Sequence, residues 1–253
     1  MNKSVEERYR FFSTPEKDDK SSNAHRQLIG YLGLIMPILF WLFAGWRPTQ
    51  GLQPWKPLSS ISAYYYTGAI SAFAGILVAL ALFLFTYRGY ANEYSRSDQV
   101  AAIIGGIAAI LVALFPTGAP DGLEAPSWWT SSIGVIHYVG AVVLFGSFIF
   151  FSLVLFRKTK IKQGEPLPRG KRIRNMIHIF CGVAMIACMV WAGMASINGA
   201  PIFWPEALAL EFFAISWLVK GRADITVIAV SKRTLYYGRH PKKLFTFRKQ
   251  MSS

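Results

Sequence analysis

The chain has 253 residues, of which 53% are hydrophobic and 16% charged, and its formal net charge is +14. This composition is too apolar and too poor in charged residues for an ordinary soluble domain. The apolar residues stand in long runs and lack the two-residue alternation of an outer-membrane barrel, so the pattern excludes a soluble enzyme and a membrane barrel.

Six apolar runs predict six transmembrane helices, because a helix of about 20 apolar residues crosses the hydrocarbon core of a bilayer. The runs lie near Gln27–Gly45, Gly68–Tyr87, Gln99–Phe115, Ile133–Phe156, Ile173–Ser196 and Phe203–Val219. Within lipid, a backbone must satisfy its own hydrogen bonds. The sequence therefore predicts an all-α membrane protein, a six-helix bundle.

The distribution of Lys and Arg predicts the orientation of these spans. Of the 27 basic residues, the first, third and fifth loops contain only Arg47 and Lys56. The other 25 lie in the N-terminal segment, the second and fourth loops and the C-terminal tail. Because basic residues stay on the cytoplasmic side, both termini are expected in the cytoplasm.

Three regions follow from this pattern: a polar cytoplasmic lead over 1–26, a transmembrane domain over 27–219 and a basic cytoplasmic tail over 220–253. The high positive charge is explained by topology and by attraction to anionic lipid of the inner leaflet, and nucleic acid is not expected as a partner. The predicted contacts with anionic lipid are Lys171, Arg172, Arg174, Lys242 and Lys243.

The third span is rich in small residues, with Ala101-Ala102, Gly105-Gly106 and Ala108-Ala109. Small residues allow helices to approach closely in a membrane, so this span is predicted to be a central, buried helix.

Polar residues of the outer half form a candidate ligand-binding vestibule. Its predicted members are Ser62, Tyr66, Asp121, His137, Glu206 and Glu211. Glu211 lies near the midplane of the last span, where an ionisable residue is a functional candidate or a buried structural carboxyl. Glu206 follows Pro205 and is interpreted as a cap of the same span. The tyrosines near Tyr66 are interpreted as interfacial anchors or as part of the vestibule.

No metal or cofactor is predicted. His137 and His178 lie toward opposite ends of their spans and cannot share an ion. Cys181 and Cys188 are separated along one helix by too great a distance for a disulfide and are interpreted as packing residues.

Three short motifs resemble known membrane proteins. They are Ser60-Ile61-Ser62-Ala63-Tyr64, Leu114-Phe115-Pro116-Thr117 and Ile136-His137-Tyr138. They are similar to motifs of bacterial DUF998-type membrane proteins and, more distantly, of the Frag1/DRAM/Sfk1 group. The resemblance implies a six-helix fold in a bacterial inner membrane, with Ser62, Pro116 and His137 as family positions, and Asp121 as a displaced counterpart of an acidic residue.

The function expected from these features is the binding or sensing of a lipid or small amphiphile in the vestibule. A small proton-coupled transporter is the first alternative, because Glu211 lies near the midplane. A membrane-embedded lipid hydrolase or acyltransferase is the second, with His137 and a carboxylate as its base.

Overall fold

A computed structural model describes residues 17–87, 95–158 and 168–223, which form six α-helices and no strand. The helices are α1 (Lys17–Trp46), α2 (Ile70–Phe85), α3 (Ser95–Leu114), α4 (Ser131–Leu153), α5 (Arg169–Ile197) and α6 (Phe203–Lys220). Each coincides with one predicted run to within a few residues, except at the start of α1. The all-helical prediction is confirmed.

Helix α1 starts inside the region that was predicted to be a polar lead. Asn23 and Arg26 are buried there, and a ring nitrogen of His25 lies 2.9 Å from the Phe83 carbonyl oxygen at the end of α2. These polar residues join the helix because the ends of α2 and α6 cover them. The remainder of the lead and the tail beyond residue 223 lie outside the described residues.

Four of the helical segments are long and apolar enough to cross a membrane: Ser21–Trp46, Arg96–Leu114, Ser131–Arg157 and Arg169–Ile197. Helix α2 is apolar but has only 16 residues. Helix α6 carries two Glu residues and ends at Lys220, which lowers its apolar character. Every helix exposes large apolar side chains, including Ile38, Leu82, Ile107, Val142, Phe180 and Ile215. An apolar exterior of this kind suits lipid better than water.

The helices form a ring in which each packs on its neighbours in sequence and α6 returns to α1. Aromatic side chains fill the centre, where the rings of Phe148 and Phe213 stack at a centroid distance of 3.7 Å. Helix α3 is one member of this ring and not a central helix. Its alanines are buried, whereas Ile103, Ile104 and Ile107 are exposed on the other face.

The seam between α1 and α6 depends on small residues of α1. A Cβ atom added at Gly33 would lie 2.7 Å from the ring of Phe213, which is closer than real Cβ atoms come to a neighbour. Glycine therefore permits this approach, as small residues commonly do between membrane helices.

The loop between α1 and α2 returns to the end of the bundle and positions the candidate site. Its Ser59 carbonyl accepts hydrogen bonds from the backbone N–H groups of Ile202 and Phe203, at 2.6 and 3.0 Å. A short 3-10 helix, Ser62–Tyr66, follows with Ser62 and Tyr64 buried. The ring of Tyr64 contacts those of Phe40 and Phe203. The loop is thus fixed to α1 and to the start of α6, the first and last helices of the ring.

Candidate functional site

His137 lies two turns into α4, is 1% exposed and has partners for both ring nitrogens. Its Nδ1 lies 2.6 Å from the Phe115 carbonyl oxygen, and its Nε2 lies 2.8 Å from the Ser62 hydroxyl oxygen. A carbonyl only accepts hydrogen bonds, so Nδ1 carries a proton. In the neutral ring, Nε2 is then the acceptor and the Ser62 hydroxyl is the donor.

The residues that follow α3 present three consecutive carbonyls to side chains from elsewhere in the chain. Phe115 accepts from His137, Pro116 accepts from Trp129 Nε1 at 3.1 Å, and Thr117 accepts from the Tyr66 hydroxyl at 2.5 Å. The last carbonyls of a helix lack partners within the helix, and Pro116 prevents its continuation. Burial raises the pKa of Tyr66, so this phenol keeps the proton that it donates.

These hydrogen bonds unite the three motifs on which the family resemblance depends. We call this arrangement the outer hub, after the side of the membrane that the sequence predicts for its loops; it comprises Ser62, Tyr66, Phe115, Pro116, Thr117, Trp129 and His137. It ties the first loop, the end of α3 and the start of α4 together. The predicted site residues Ser62, Tyr66 and His137 belong to it.

Glu206 lies beside the outer hub in the first turn of α6. Its carboxylate accepts a hydrogen bond of 2.7 Å from the backbone N–H of Ile61, so it caps the neighbouring loop rather than its own helix. Glu206 and Ser62 also line an internal cavity of about 40 Å³, whose other walls are apolar side chains such as Phe73, Leu144 and Leu210. This space is enough for a few water molecules and too small for a whole lipid.

The structure does not bring Asp121 and Glu211 to the outer hub. Asp121 is exposed in the loop between α3 and α4, where Gly51 of the first loop approaches Gly122. Glu211 faces a groove between α1 and α6. The predicted single vestibule is therefore divided among an internal cavity, an exposed loop and an external groove.

The groove between α1 and α6, here called the α1/α6 groove, has a volume of about 460 Å³. It is lined by Pro37, Ile38, Trp41, Trp55, Pro57, Phe203, Trp204, Ala207, Leu208 and Glu211. Nine of these ten residues are apolar or aromatic, and Glu211 is the one charged member. The volume falls within the range of small-molecule sites, about 300–1,000 Å³.

A second groove lies between α3 and α4, with a volume of about 710 Å³. Arg96 is the one charged residue among those that line it, and it stands at the start of α3. The small residues Ala101 and Gly146 are among those that line it. It offers no titratable group along the length of its apolar wall.

At the opposite end of the bundle, a chain of hydrogen bonds links three helices. The Ser152 and Ser216 hydroxyls are 2.8 Å apart, and Ser216 lies 2.9 Å from His178 Nδ1. No sequence pattern predicts this pairing, because the three residues come from α4, α6 and α5. His137 and His178 are thus bound in separate networks.

Of the predicted lipid contacts, Lys171 points inward. Its Nζ donates to the carbonyls of Phe156 and Lys158, at 3.0 and 3.5 Å. Arg172 is exposed and Arg174 is partly buried. Lys242 and Lys243 lie outside the described residues.

Cys181 and Cys188 are free and buried, as expected of packing residues. Across the described ranges, no three His, Cys, Asp or Glu side chains meet in a group that could hold a metal ion.

Comparisons with protein-family models, curated proteins and solved structures find no match to this chain. The resemblance to DUF998-type proteins and to the Frag1/DRAM/Sfk1 group thus stays a prediction based on the motifs of the outer hub.

Several residues of these sites were missed by sequence reasoning. Neither Trp129 nor Trp41 was predicted as a site residue, because a Trp near the end of a span is usually a membrane-interface anchor. In the structure Trp129 donates to the outer hub and Trp41 lines the α1/α6 groove. An indole at the membrane interface serves both roles with the same sequence signature. Only the contacts between distant segments of the folded chain distinguish the two roles.

Proposed function

We propose that this chain is a six-span membrane protein that binds an amphiphile in the α1/α6 groove. The observation that carries the proposal is an open groove of about 460 Å³ whose walls are apolar and aromatic except for Glu211. The internal cavity, about 40 Å³, is an order of magnitude smaller. The α1/α6 groove has room for a lipid-sized ligand, whereas the internal cavity does not. The groove between α3 and α4 is larger, about 710 Å³, but it lacks a titratable group along its apolar wall.

The membrane location and orientation are part of the same proposal. The four helices of sufficient length and the apolar exterior support insertion. Helices α2 and α6 would complete six spans, and the 25 basic residues would occupy the cytoplasmic side of a bacterial inner membrane. In this orientation the α1/α6 groove opens laterally to lipid, in the outer half of the bilayer.

A photoreactive amphiphile with a neutral maltoside headgroup tests the proposal on the purified protein. We expect cross-links to peptides of α1 and α6. Replacement of Leu208, which lines the groove, by Trp should fill the groove and remove most of this labelling. The matched control is Leu82→Trp on α2, because Leu82 is exposed and lies outside the groove. Equal labelling of wild type and Leu208→Trp would contradict the proposal, as would labelling spread evenly over all six helices.

The Ser62–His137 pair favours a second candidate function, acyl transfer from a lipid ester. A serine hydroxyl 2.8 Å from a histidine nitrogen, with the ring oriented by a third group, has the geometry of an activated nucleophile. Here the third group is the Phe115 carbonyl rather than a carboxylate. Ser62 would attack the ester carbonyl while its proton passes to His137 Nε2. The alcohol would leave with that proton, and water would then hydrolyse the acyl-serine.

A lipid-like fluorophosphonate probe tests this second function. An activated Ser62 should be labelled at a rate that falls at least a hundredfold in Ser62→Ala and in His137→Gln. Ser132→Ala, an exposed serine at the start of the same helix α4, is the control. If wild type is not labelled while a mild detergent keeps it folded, the hydroxyl has no nucleophilic role.

A further inference from the structure

The α1/α6 groove is lined by one carboxylate, Glu211, and by no cationic side chain. Glu211 is partly buried, and among the described residues it has neither a hydrogen-bond nor an ion-pair partner. None of the ten residues lining the groove is Lys, Arg or His. An ionised carboxylate in an apolar site is strongly disfavoured without a cation or several donors. A ligand that supplies the cation would remove this cost.

Aromatic rings surround the same space and provide a second attraction for a cation. Trp204, Leu208 and Glu211 follow one another at helical spacing and share a face of α6. Side chains on a helix lean toward its N-terminus, so the Glu211 carboxylate reaches toward Trp204. Trp41 of α1 stands across the groove. Indole faces attract cations through the ring quadrupole.

The outer wall of the groove is held in an unusual backbone conformation. Trp55 has φ of +66°, a left-handed backbone conformation that is uncommon for a residue with a side chain. Its carbonyl accepts a hydrogen bond of 2.8 Å from Trp41 Nε1, and the two rings meet edge to face at 5.3 Å. Its ring covers Gly45, where a Cβ atom would overlap it. These contacts keep the two indoles in place before a ligand binds.

We infer that the α1/α6 groove binds a lipophilic organic cation, with the charge beside Glu211 and the apolar body against Trp41 and Trp204. This inference rests on the proposed function and adds the charge of the ligand to it. The groove is open and mostly apolar, so it favours a bulky, weakly hydrated cation over a metal ion or a simple ammonium. Charge complementarity with Glu211 disfavours an anionic lipid at this position.

Tetraphenylphosphonium and tetraphenylborate test the inference because they share size and shape but differ in the sign of charge. We expect the purified wild-type protein to bind the phosphonium at least tenfold more tightly than the borate, as measured by isothermal titration calorimetry. Glu211→Gln should remove that preference, and Trp204→Ala should weaken phosphonium binding severalfold. Glu124→Gln removes an exposed carboxylate of the loop between α3 and α4 and should leave the preference unchanged.

Three outcomes would overturn the inference. The first is equal affinity of wild type for the two ions, and the second is undiminished phosphonium binding by Glu211→Gln. The third is efficient disulfide cross-linking of Leu208→Cys between two chains in membranes without phosphonium binding, which would assign the groove to a second copy. If the neutral maltoside probe still labels the groove in the first two cases, the proposed amphiphile site stands and only its charge preference fails. Thermal unfolding of each variant separates a binding defect from a folding defect.

Discussion

Three consecutive carbonyls after α3 show how single side chains hold the end of the bundle at which α3 ends and α4 begins. Phe115, Pro116 and Thr117 each accept a hydrogen bond from a side chain of another segment. A buried carbonyl without a partner costs about 1–3 kcal/mol, so each donor matters individually. Of the three donor side chains, we expect His137 to contribute most to stability, because its second ring nitrogen also binds Ser62, 75 residues earlier in the chain.

A double-mutant cycle between Ser62 and His137 measures this link. We expect His137→Phe to destabilise the protein more than Ser62→Ala, since it also deprives the Phe115 carbonyl of its donor. The coupling free energy should be about 1 kcal/mol, which is typical of interhelical hydrogen bonds in membrane proteins. Unfolding by titration with sodium dodecyl sulfate gives the four free energies. Additive effects of the two substitutions would show that the 2.8 Å contact contributes nothing to stability.

Two adjacent basic residues of α5 should have different effects. Arg172 is exposed, and we propose that it contacts anionic head groups; Arg172→Gln should therefore reduce retention of phosphatidylglycerol about fivefold, equivalent to about 1 kcal/mol. Lys171 donates inward to the Phe156 carbonyl at 3.0 Å, so Lys171→Gln should chiefly lower thermal stability. Co-purified lipid is measured by mass spectrometry, with phosphatidylcholine as the reference. The opposite pattern would mean that Lys171 is the lipid contact.

At the scale of the helices, the ring is assembled through close approaches of α1 to α6 and of α2 to α3. Gly33 faces Phe213, and Gly106 faces Phe85, in each case with no space for a Cβ atom. Gly75 on α2, in contrast, has no neighbour within 4 Å. Glycine at the first two positions thus serves packing, and glycine at the third does not.

Alanine substitutions separate these two kinds of glycine. Gly33→Ala should destabilise the protein by about 1–3 kcal/mol, the usual cost of overpacking, because the ring of Phe213 is fully buried and cannot move aside. Gly75→Ala should be neutral or stabilising by up to about 1 kcal/mol, because alanine favours a helix more than glycine does. Thermal unfolding in one detergent compares the two variants. A neutral Gly33→Ala would show that the α1/α6 seam is loosely packed.

Helix positions were predictable from the sequence, but their arrangement was not. An apolar run of about 20 residues is a local signal, which is why five of the six helix starts were placed to within four residues. Small residues in α3 indicated close packing, but the sequence did not show that Ile103 and Ile107 cover its other face toward the exterior. The prediction of a central helix relied on the number of small residues in α3 and did not take the helical spacing of its isoleucines into account.

The candidate site depends on contacts between residues that are far apart in the sequence, and no local spacing of residues predicts such contacts. The motifs around Ser62 and His137 were recognised, but their hydrogen bond joins residues 75 positions apart. Glu206 and Glu211 are five residues apart on α6, and a difference of about 140° around the helix sends one to the internal cavity and the other to the groove. Closure of the ring by α1 and α6 creates the groove, and this contact joins the two ends of the helical sequence.

The orientation of the whole molecule is tested by two isosteric substitutions. Ser127 is exposed in the loop between α3 and α4, which contains no Lys or Arg, and Ser97 is exposed at the first turn of α3 beside Arg96. Because basic residues remain in the cytoplasm, we expect a membrane-impermeant maleimide to label Ser127→Cys in intact cells. Ser97→Cys should be labelled only after permeabilisation. The wild type is the control, since Cys181 and Cys188 are buried.

Labelling of both variants in intact cells would mean that α3 does not cross the membrane. Labelling of Ser97→Cys alone would mean that the chain is inserted in the opposite sense, with the α1/α6 groove in the cytoplasmic half of the bilayer.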